Sequence, residues 1–463
     1  MRETSPNVAT EAALPAQPEM AERRGVQIAS PIETQQIIRR MNAAYDWTGP
    51  DDPDNPRNFP ARVRILSIGA ISSLALVSTF AGAIYAPAQA AVMDEFHQNR
   101  LVAVLPLSLY NLGMACGPLV GAPLSETYGR KTVFVATTPI FLVFMVAAGF
   151  AKSITTLVIC RFFAGIFASP NINNASATIL DYVEHRHRGA SLGIYYSLPS
   201  LGSTLAPLIG GFIIRSKGWR WTQWVAIIVT VAFYIPVLFT RETYKKSFSA
   251  VVPSGWVWET PPLSKLQLGE RFDISSRLYN GFIFGLLYTF VISVPWIFRH
   301  YYDFNETGES LSYLGVTLGT LIACVPFVLV DFSFYQKRLR QWQQTHDETE
   351  QLPPENRLVS AMVGSFLLPA SLLIAGWTAE YRISWFVTVF FQGISMTASL
   401  LIYAGANLFM LDAYGPLYGA SASGAMMLSR VGDYYSSWLY FTDGADTLVF
   451  LGVWRAVAQE KQV

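Results

Sequence analysis

The sequence is short of charge. Of its 463 residues only 14% are Asp, Glu, Lys or Arg, against about 25% in ordinary soluble domains. The two signs nearly cancel, 33 basic against 32 acidic residues, so nothing suggests nucleic acid as a partner. Cysteine is scarce as well. Cys116, Cys160 and Cys324 all fall inside apolar stretches, which reads as buried small hydrophobes and offers no disulfide framework. The five histidines, His97, His185, His187, His300 and His346, form no ligand cluster. Neither a metal spacing nor a nucleophile motif such as G-x-S-x-G is present, and no cofactor is implied, so an enzyme is not expected. Residues 1–60 lack an apolar run fit for a signal peptide. Their first part, 1–44, is rich in Ala, Glu, Pro, Gln and Thr and reads as a disordered tail.

What the chain has in quantity is apolar surface: 52% hydrophobic residues, with 30 Phe, 22 Tyr and 12 Trp. A helix that crosses a bilayer needs about 20 largely apolar residues, because unpaired backbone groups are too costly in hydrocarbon. Six runs meet this need in the first half: 65–87, 101–124, 132–151, 154–172 (or on to Asp181), 189–214 and 224–239. A polar stretch, 240–277, separates them from four more: 278–298, 311–330, 358–377 and 385–408. Another charged loop, 336–357, interrupts this second group. Such a layout predicts an all-α integral membrane protein of two bundles. Its parts are a tail (1–60), a six-helix bundle (61–240), a central loop (241–277), a second bundle (278–430) and an atypical end (431–463). Tyr414–Leu428 opens an eleventh span that Arg430 and Asp433 interrupt, and Thr447–Trp454 is too short to cross. The last spans are read as incomplete, an ending that a frameshift or unremoved intron would produce.

Lys and Arg placement predicts orientation. Arg57, Arg62, Arg64, Arg130, Lys131, Arg186, Arg188, the central-loop cations and Lys337, Arg338, Arg340 and Arg357 share one side. That side is expected to be cytoplasmic. Arg215, Lys217 and Arg220 dissent, lying on the opposite side. Asn305-Glu306-Thr307 is a glycosylation sequon in a loop expected outside, whereas Asn174-Ala175-Ser176 lies at membrane depth.

Three stretches carry chemistry. Between spans 2 and 3 stands Gly117-Pro118-Leu119-Val120-Gly121-Ala122-Pro123-Leu124-Ser125-Glu126-Thr127-Tyr128-Gly129-Arg130-Lys131. Gly129 permits an unusual backbone angle, and Glu126 is placed to pair with cations across a helix junction. It reads equally as a conformational latch or as an ordinary turn with snorkelling bases. Span 4 contains Arg161, a charge inside an apolar helix, which is a functional residue by default unless it snorkels from an end. Span 5 reads Gly202-Ser203-Thr204-Leu205-Ala206-Pro207-Leu208-Ile209-Gly210-Gly211, a surface for close helix packing.

The first of these resembles the hallmark loop of the major facilitator superfamily, G-x-L-A-D-R-x-G-R-K. Ala122 stands for its first Gly and Glu126 for its Asp, while Gly129, Arg130 and Lys131 match. The form P-L-S-E-x-Y-G-R is similar to that of fungal twelve-span drug:proton antiporters. The resemblance implies that Glu126 and Arg130 help stabilise an outward-facing state, within a gate that takes in Gly129 and Lys131. It places Arg161 where that family has an Arg implicated in proton transfer. Span 5 resembles the motif G-x-x-x-G-P-x-x-G-G of exporters through Gly202, Pro207, Gly210 and Gly211, with Ala206 in place of the middle Gly. The stretches 46–60, Pro354-Glu355-Asn356-Arg357-Leu358 and Asp412-Ala413-Tyr414-Gly415-Pro416 are similar to the same group. Within the central loop, Ser247–Glu259 departs from it.

The expected function is efflux of a small organic compound (a drug, toxin or secondary metabolite) by alternating access. Protons are expected to exchange for it, since no G-x-x-x-x-G-K-[ST] loop for ATP exists. The chain is expected as a multi-pass monomer of the plasma membrane. No mid-membrane carboxylate presents itself as the proton carrier: Asp94, Asp181 and Asp331 lie near span ends. The rival readings are a nutrient or polyamine importer and a transport-inactive membrane protein. Tyr85, Tyr110, Tyr195 and Tyr196 either stack on cargo or pack the interior.

Overall fold

A computed structural model describes residues 52–53, 55–183, 187–243, 294–295, 297–345 and 352–412, without the side chains of 119, 120, 122, 123, 126, 127 and 306. Most of the tail, nearly all of the central loop, most of 278–298 and everything from 413 on lie outside the described residues. The expectations placed there, including the incomplete last spans, lie outside with them.

Helices α1 (Ala61–Ala83) and α2 (Gln89–Phe96) are joined by a tight turn at Ala86–Ala88. Then come α3 (Arg100–Tyr128), α4 (Arg130–Gly149), α5 (Ile154–Ala168) and α6 (Pro170–Tyr182). Two further helices, α7 (Arg188–Lys217) and α8 (Arg220–Leu238), complete the first group. The second group holds α9 (Glu306–Ile322), α10 (Cys324–Val330), α11 (Gln336–Thr345), α12 (Val359–Glu380) and α13 (Trp385–Asp412). Among the described residues nine helical runs are long and apolar enough to cross a membrane, and they coincide with nine of the ten sequence-predicted spans.

Local chemistry sets the boundaries. The Ser153 hydroxyl accepts from the Thr156 amide (3.2 Å) and the Asn305 carboxamide oxygen from the Gly308 amide (2.9 Å), each capping a helix start. Pro170 opens α6 at a position where its missing N–H costs nothing. One expectation fails: residues 336–345 are helical, not loop. A π-turn at Asp331–Tyr335 carries α10 into α11. There Tyr335, Leu339 and Leu352 form a small buried cluster with Trp342 against it, so an otherwise very polar helix gains an apolar seam.

The outward faces are apolar almost throughout: Ile65, Val143, Phe150, Ile228, Phe239, Leu318, Leu329, Phe366 and Phe390 are all exposed. Phe239 and Phe366 present 82% and 81% of their surface, a belt that hydrocarbon, not water, accommodates. Inside, one apolar cluster joins the two groups of helices. Phe59, Ile71, Leu74, Ile172, Tyr195 and Tyr196 from the first meet Phe327, Leu401, Ala404, Leu408 and Leu411 from the second.

Candidate functional site

At the end of the bundle that holds the basic segments, α3 turns into α4 across one residue. Gly129 has φ +97°, where a side chain would be strained and its Cβ would stand 2.7 Å from the Glu242 carboxylate. Glu242 uses the space. Its two oxygens accept from the backbone amides of Arg130 (2.9 Å) and Lys131 (3.0 Å), a charged cap on the positive end of α4. The buried Arg130 side chain turns back to donate to Ser125 Oγ (3.1 Å) and faces Asp181, the last acid of α6, at 3.8 Å. Asp181 in turn accepts from Thr243 Oγ1 at 3.1 Å. Arg130 is thus a buried cation tying three helices together. The Glu126 backbone sits in the last turn of α3 and its side chain lies outside the described atoms. The acids described at this junction are Asp181 and Glu242.

A second cluster stands at the same end of the other group. Arg357 precedes α12, as Arg130 opens α4. It donates to Asp331 (3.0 Å) and Asp412 (2.8 Å) and stacks on the Tyr335 ring at 3.4 Å. Gln336 Nε2 adds a longer bond to Asp331 (3.4 Å). The start of α7 is pressed against this cluster: a Cβ on Gly189 would collide with Asp331 and Arg357, and one on Gly193 with the Phe327 ring. Arg188, half-buried beside Gly189, is within electrostatic reach of Asp181 in its own group and Asp412 in the other. Sequence reading saw Asp181 and Asp331 only as span-end acids and did not connect Arg357 or Glu242 to them.

Arg161 does not snorkel. It is fully buried, with Nη1 donating to the Ala81 carbonyl (2.7 Å) and the guanidinium over the rings of Tyr85 and Tyr110 at 5.0 and 5.5 Å. The hydroxyls of those tyrosines donate to the Ala103 and Ser78 carbonyls. Two of the four candidate aromatics are therefore a clamp on Arg161. Tyr196 instead meets Tyr403 of α13 at 5.0 Å, across the junction of the two groups.

The glycines of span 5 are packing surfaces on both sides of one helix. Gly202 lies on the Leu76 carbonyl of α1, Gly210 faces the Ile84 carbonyl, and Gly211 leaves room for Ser310 of α9. Pro207 is buried within an unbroken α7. Thr317 also reaches the Thr204 carbonyl (3.3 Å), so α7 and α9 form a continuous seam. At the far end Asn305 is exposed. The three cations that broke the charge rule are all engaged there. Arg215 donates to Thr307 (2.5 Å), Lys217 faces the Trp221 ring (5.9 Å) and Arg220 pairs with Glu95 (2.6 Å).

Two groups of apolar helices, joined along a small-residue seam and pinned at one end by buried ion pairs, define a multi-pass helical membrane transporter. The Major Facilitator Superfamily model matches residues 71–431, and the chain belongs to this superfamily. It is 30% identical to the MFS-type transporter tndD of Aspergillus flavipes, over 86% of this chain and 79% of that protein. It is also 30% identical to the ascochitine biosynthesis cluster MFS transporter of Didymella fabae, over 83% of this chain and 79% of that one. Identity with the efflux pump radE of Floropilus chiversii is 28%, over 83% and 75% of the two chains. Among solved structures, the proton:xylose symporter XylE superposes with a TM-score of 0.60 at 13% identity, covering 84% of this chain and 91% of that one. That likeness concerns the fold alone.

Proposed function

We propose that the chain exports a small organic compound from a fungal cell by alternating access, with protons moving inward in exchange. The observation that carries this reading is the closure at the basic end. There the start of α7 seats on Asp331 and Arg357 while Arg130 holds Asp181. If that end faces the cytoplasm, the closed arrangement is outward-facing, with Glu126, Gly129, Arg130 and Lys131 as its gate. Relatives named as an efflux pump and as a biosynthesis-cluster transporter support export of a secondary metabolite. Protons are the natural energy source because the sequence holds no ATP-binding loop, and Arg161 is the candidate for coupling. The same reading places the protein in the plasma membrane as a monomer with a glycan on Asn305. Deleting the gene should cause intracellular retention of the cargo and greater sensitivity to it, and an uncoupler should reproduce this in the parent strain. Unchanged secretion sinks the export reading, and a fall in uptake of an external nutrient would establish import instead.

A further inference from the structure

We infer that the cargo is a small organic anion and that Arg161 is where its carboxylate or phenolate is read. For the direction of transport this rests on the export reading above. Across the ten apolar runs between residues 65 and 408, Arg161 is the only Asp, Glu, Lys or Arg. Its surroundings are built from α1, α3 and α5, all within the described residues, and they supply one carbonyl and two ring faces. Nε and Nη2 have no partner. A buried cation is ordinarily held by a counter-charge. Among the described groups around Arg161 there is no carboxylate.

The second group repeats the arrangement with a neutral residue. A Cβ on Gly113 would strike the Phe162 carbonyl, and one on Gly319 the Gly393 carbonyl. α3 on α5 and α9 on α13 are therefore the same crossing, and the residues just before the contacted carbonyls are Arg161 and Gln392. Gln392 is fully buried as well, and both its amide oxygen and nitrogen are unpartnered. Orphaned donors at matched positions suit a ligand with acceptor oxygens and a negative charge. A cationic cargo would be repelled by Arg161.

The test has two arms on the full-length chain. In yeast stripped of its own drug pumps, export of carboxyfluorescein (an anion) and rhodamine 6G (a cation) is compared for wild type, R161K and R161Q. Wild type should export the anion in preference, R161Q should lose that export about tenfold or more, and R161K should keep part of it. In the second arm the purified protein is heated with carboxyfluorescein or its uncharged methyl ester. The anion alone should raise the melting temperature, and R161Q should abolish that rise without lowering its own unliganded melting temperature to match. Stabilisation by the anion without export removes the export reading and keeps the inference. Preference for rhodamine 6G, equal stabilisation by the ester, or no stabilisation by the anion overturns the inference. Loss of both exports in R161Q together with a collapsed unliganded melting temperature would make Arg161 a structural clamp, and overturns it too.

Discussion

The two ionic clusters at the basic end are the same device built twice with different charge. From the matched crossings, Gly113 leads to Ser125 and Gly319 to Asp331 over equal distances along the chain, and Arg161 leads to Asp181 as Gln392 leads to Asp412. Ser125–Arg130–Asp181 thus corresponds to Asp331–Arg357–Asp412. Among the described side chains of the first cluster, Arg130 faces one acid, Asp181. In the second, a hydroxyl has become a carboxylate, and Arg357 serves two acids at 3.0 and 2.8 Å. The surplus negative charge is met from outside the cluster, by Arg188 at the start of α7. The asymmetry teaches where the second cluster's extra acid finds a partner: in Arg188, on the first group of helices.

The largest effect should come from breaking that second cluster. Arg357→Met leaves two acids beside each other with no cation of their own and should destabilise the purified protein by about 3–5 kcal/mol. Arg130→Met leaves one acid and should cost about 2 kcal/mol. Thermal unfolding in detergent measures both. Adding D331N and D412N to Arg357→Met should restore most of the loss, since a buried ion cluster replaced whole is often neutral. Equal effects of the two arginine changes would show that the charge difference is immaterial.

Next in size is the seating of α7. Gly189→Ala puts a methyl group into Asp331 and Arg357, so it should hold the basic end ajar while leaving each group of helices folded. Accessibility of a cysteine placed near Tyr403 to a reagent entering from that end should rise about tenfold, a shift of about 1.4 kcal/mol. Gly69→Ala is the control, because a Cβ there meets nothing within 4 Å. Accessibility unchanged by Gly189→Ala would detach this contact from closure.

Smaller again is the cap on α4. Glu242→Gln keeps an acceptor for the Arg130 and Lys131 amides but removes its charge, and should cost about 1 kcal/mol. The bonds span 112 and 111 positions of sequence, which is why they could not be read from the hallmark loop itself. Hydropathy alone located the spans, because the bilayer demands long apolar runs. Gly129 declared the tight turn, because so short a junction admits little else. Side-chain partners were another matter. Asp181 and Asp331 looked like span-end acids because each finds its arginine on a different helix. The helical character of 336–345 was hidden because its apolar seam, Tyr335 to Leu339, is short and depends on Leu352, farther along the chain. The role of Tyr85 and Tyr110 became visible only with Arg161 between them.

The smallest effect is expected at the far end, where the contrast with the basic end can be measured directly. Glu95 accepts from Trp219 Nε1 (2.6 Å) and Arg220 Nη1 (2.9 Å), while Arg220 also reaches the Ala151 carbonyl (3.2 Å) and stacks near the Trp219 ring at 4.6 Å. These contacts are short, yet both charged side chains are 38% exposed. Water screens the pair and competes for its hydrogen bonds, so its net contribution should be about 0.5 kcal/mol or less despite the short distance. A double-mutant cycle of E95Q and R220Q, read by thermal unfolding, isolates the coupling. Repeating it in 1 M salt should reduce the value further, since screening reaches exposed charges first. The same cycle on D412N and R357M should give a value several times larger and nearly independent of salt. If instead the far-end pair matched the buried one, burial would not be what distinguishes the two ends.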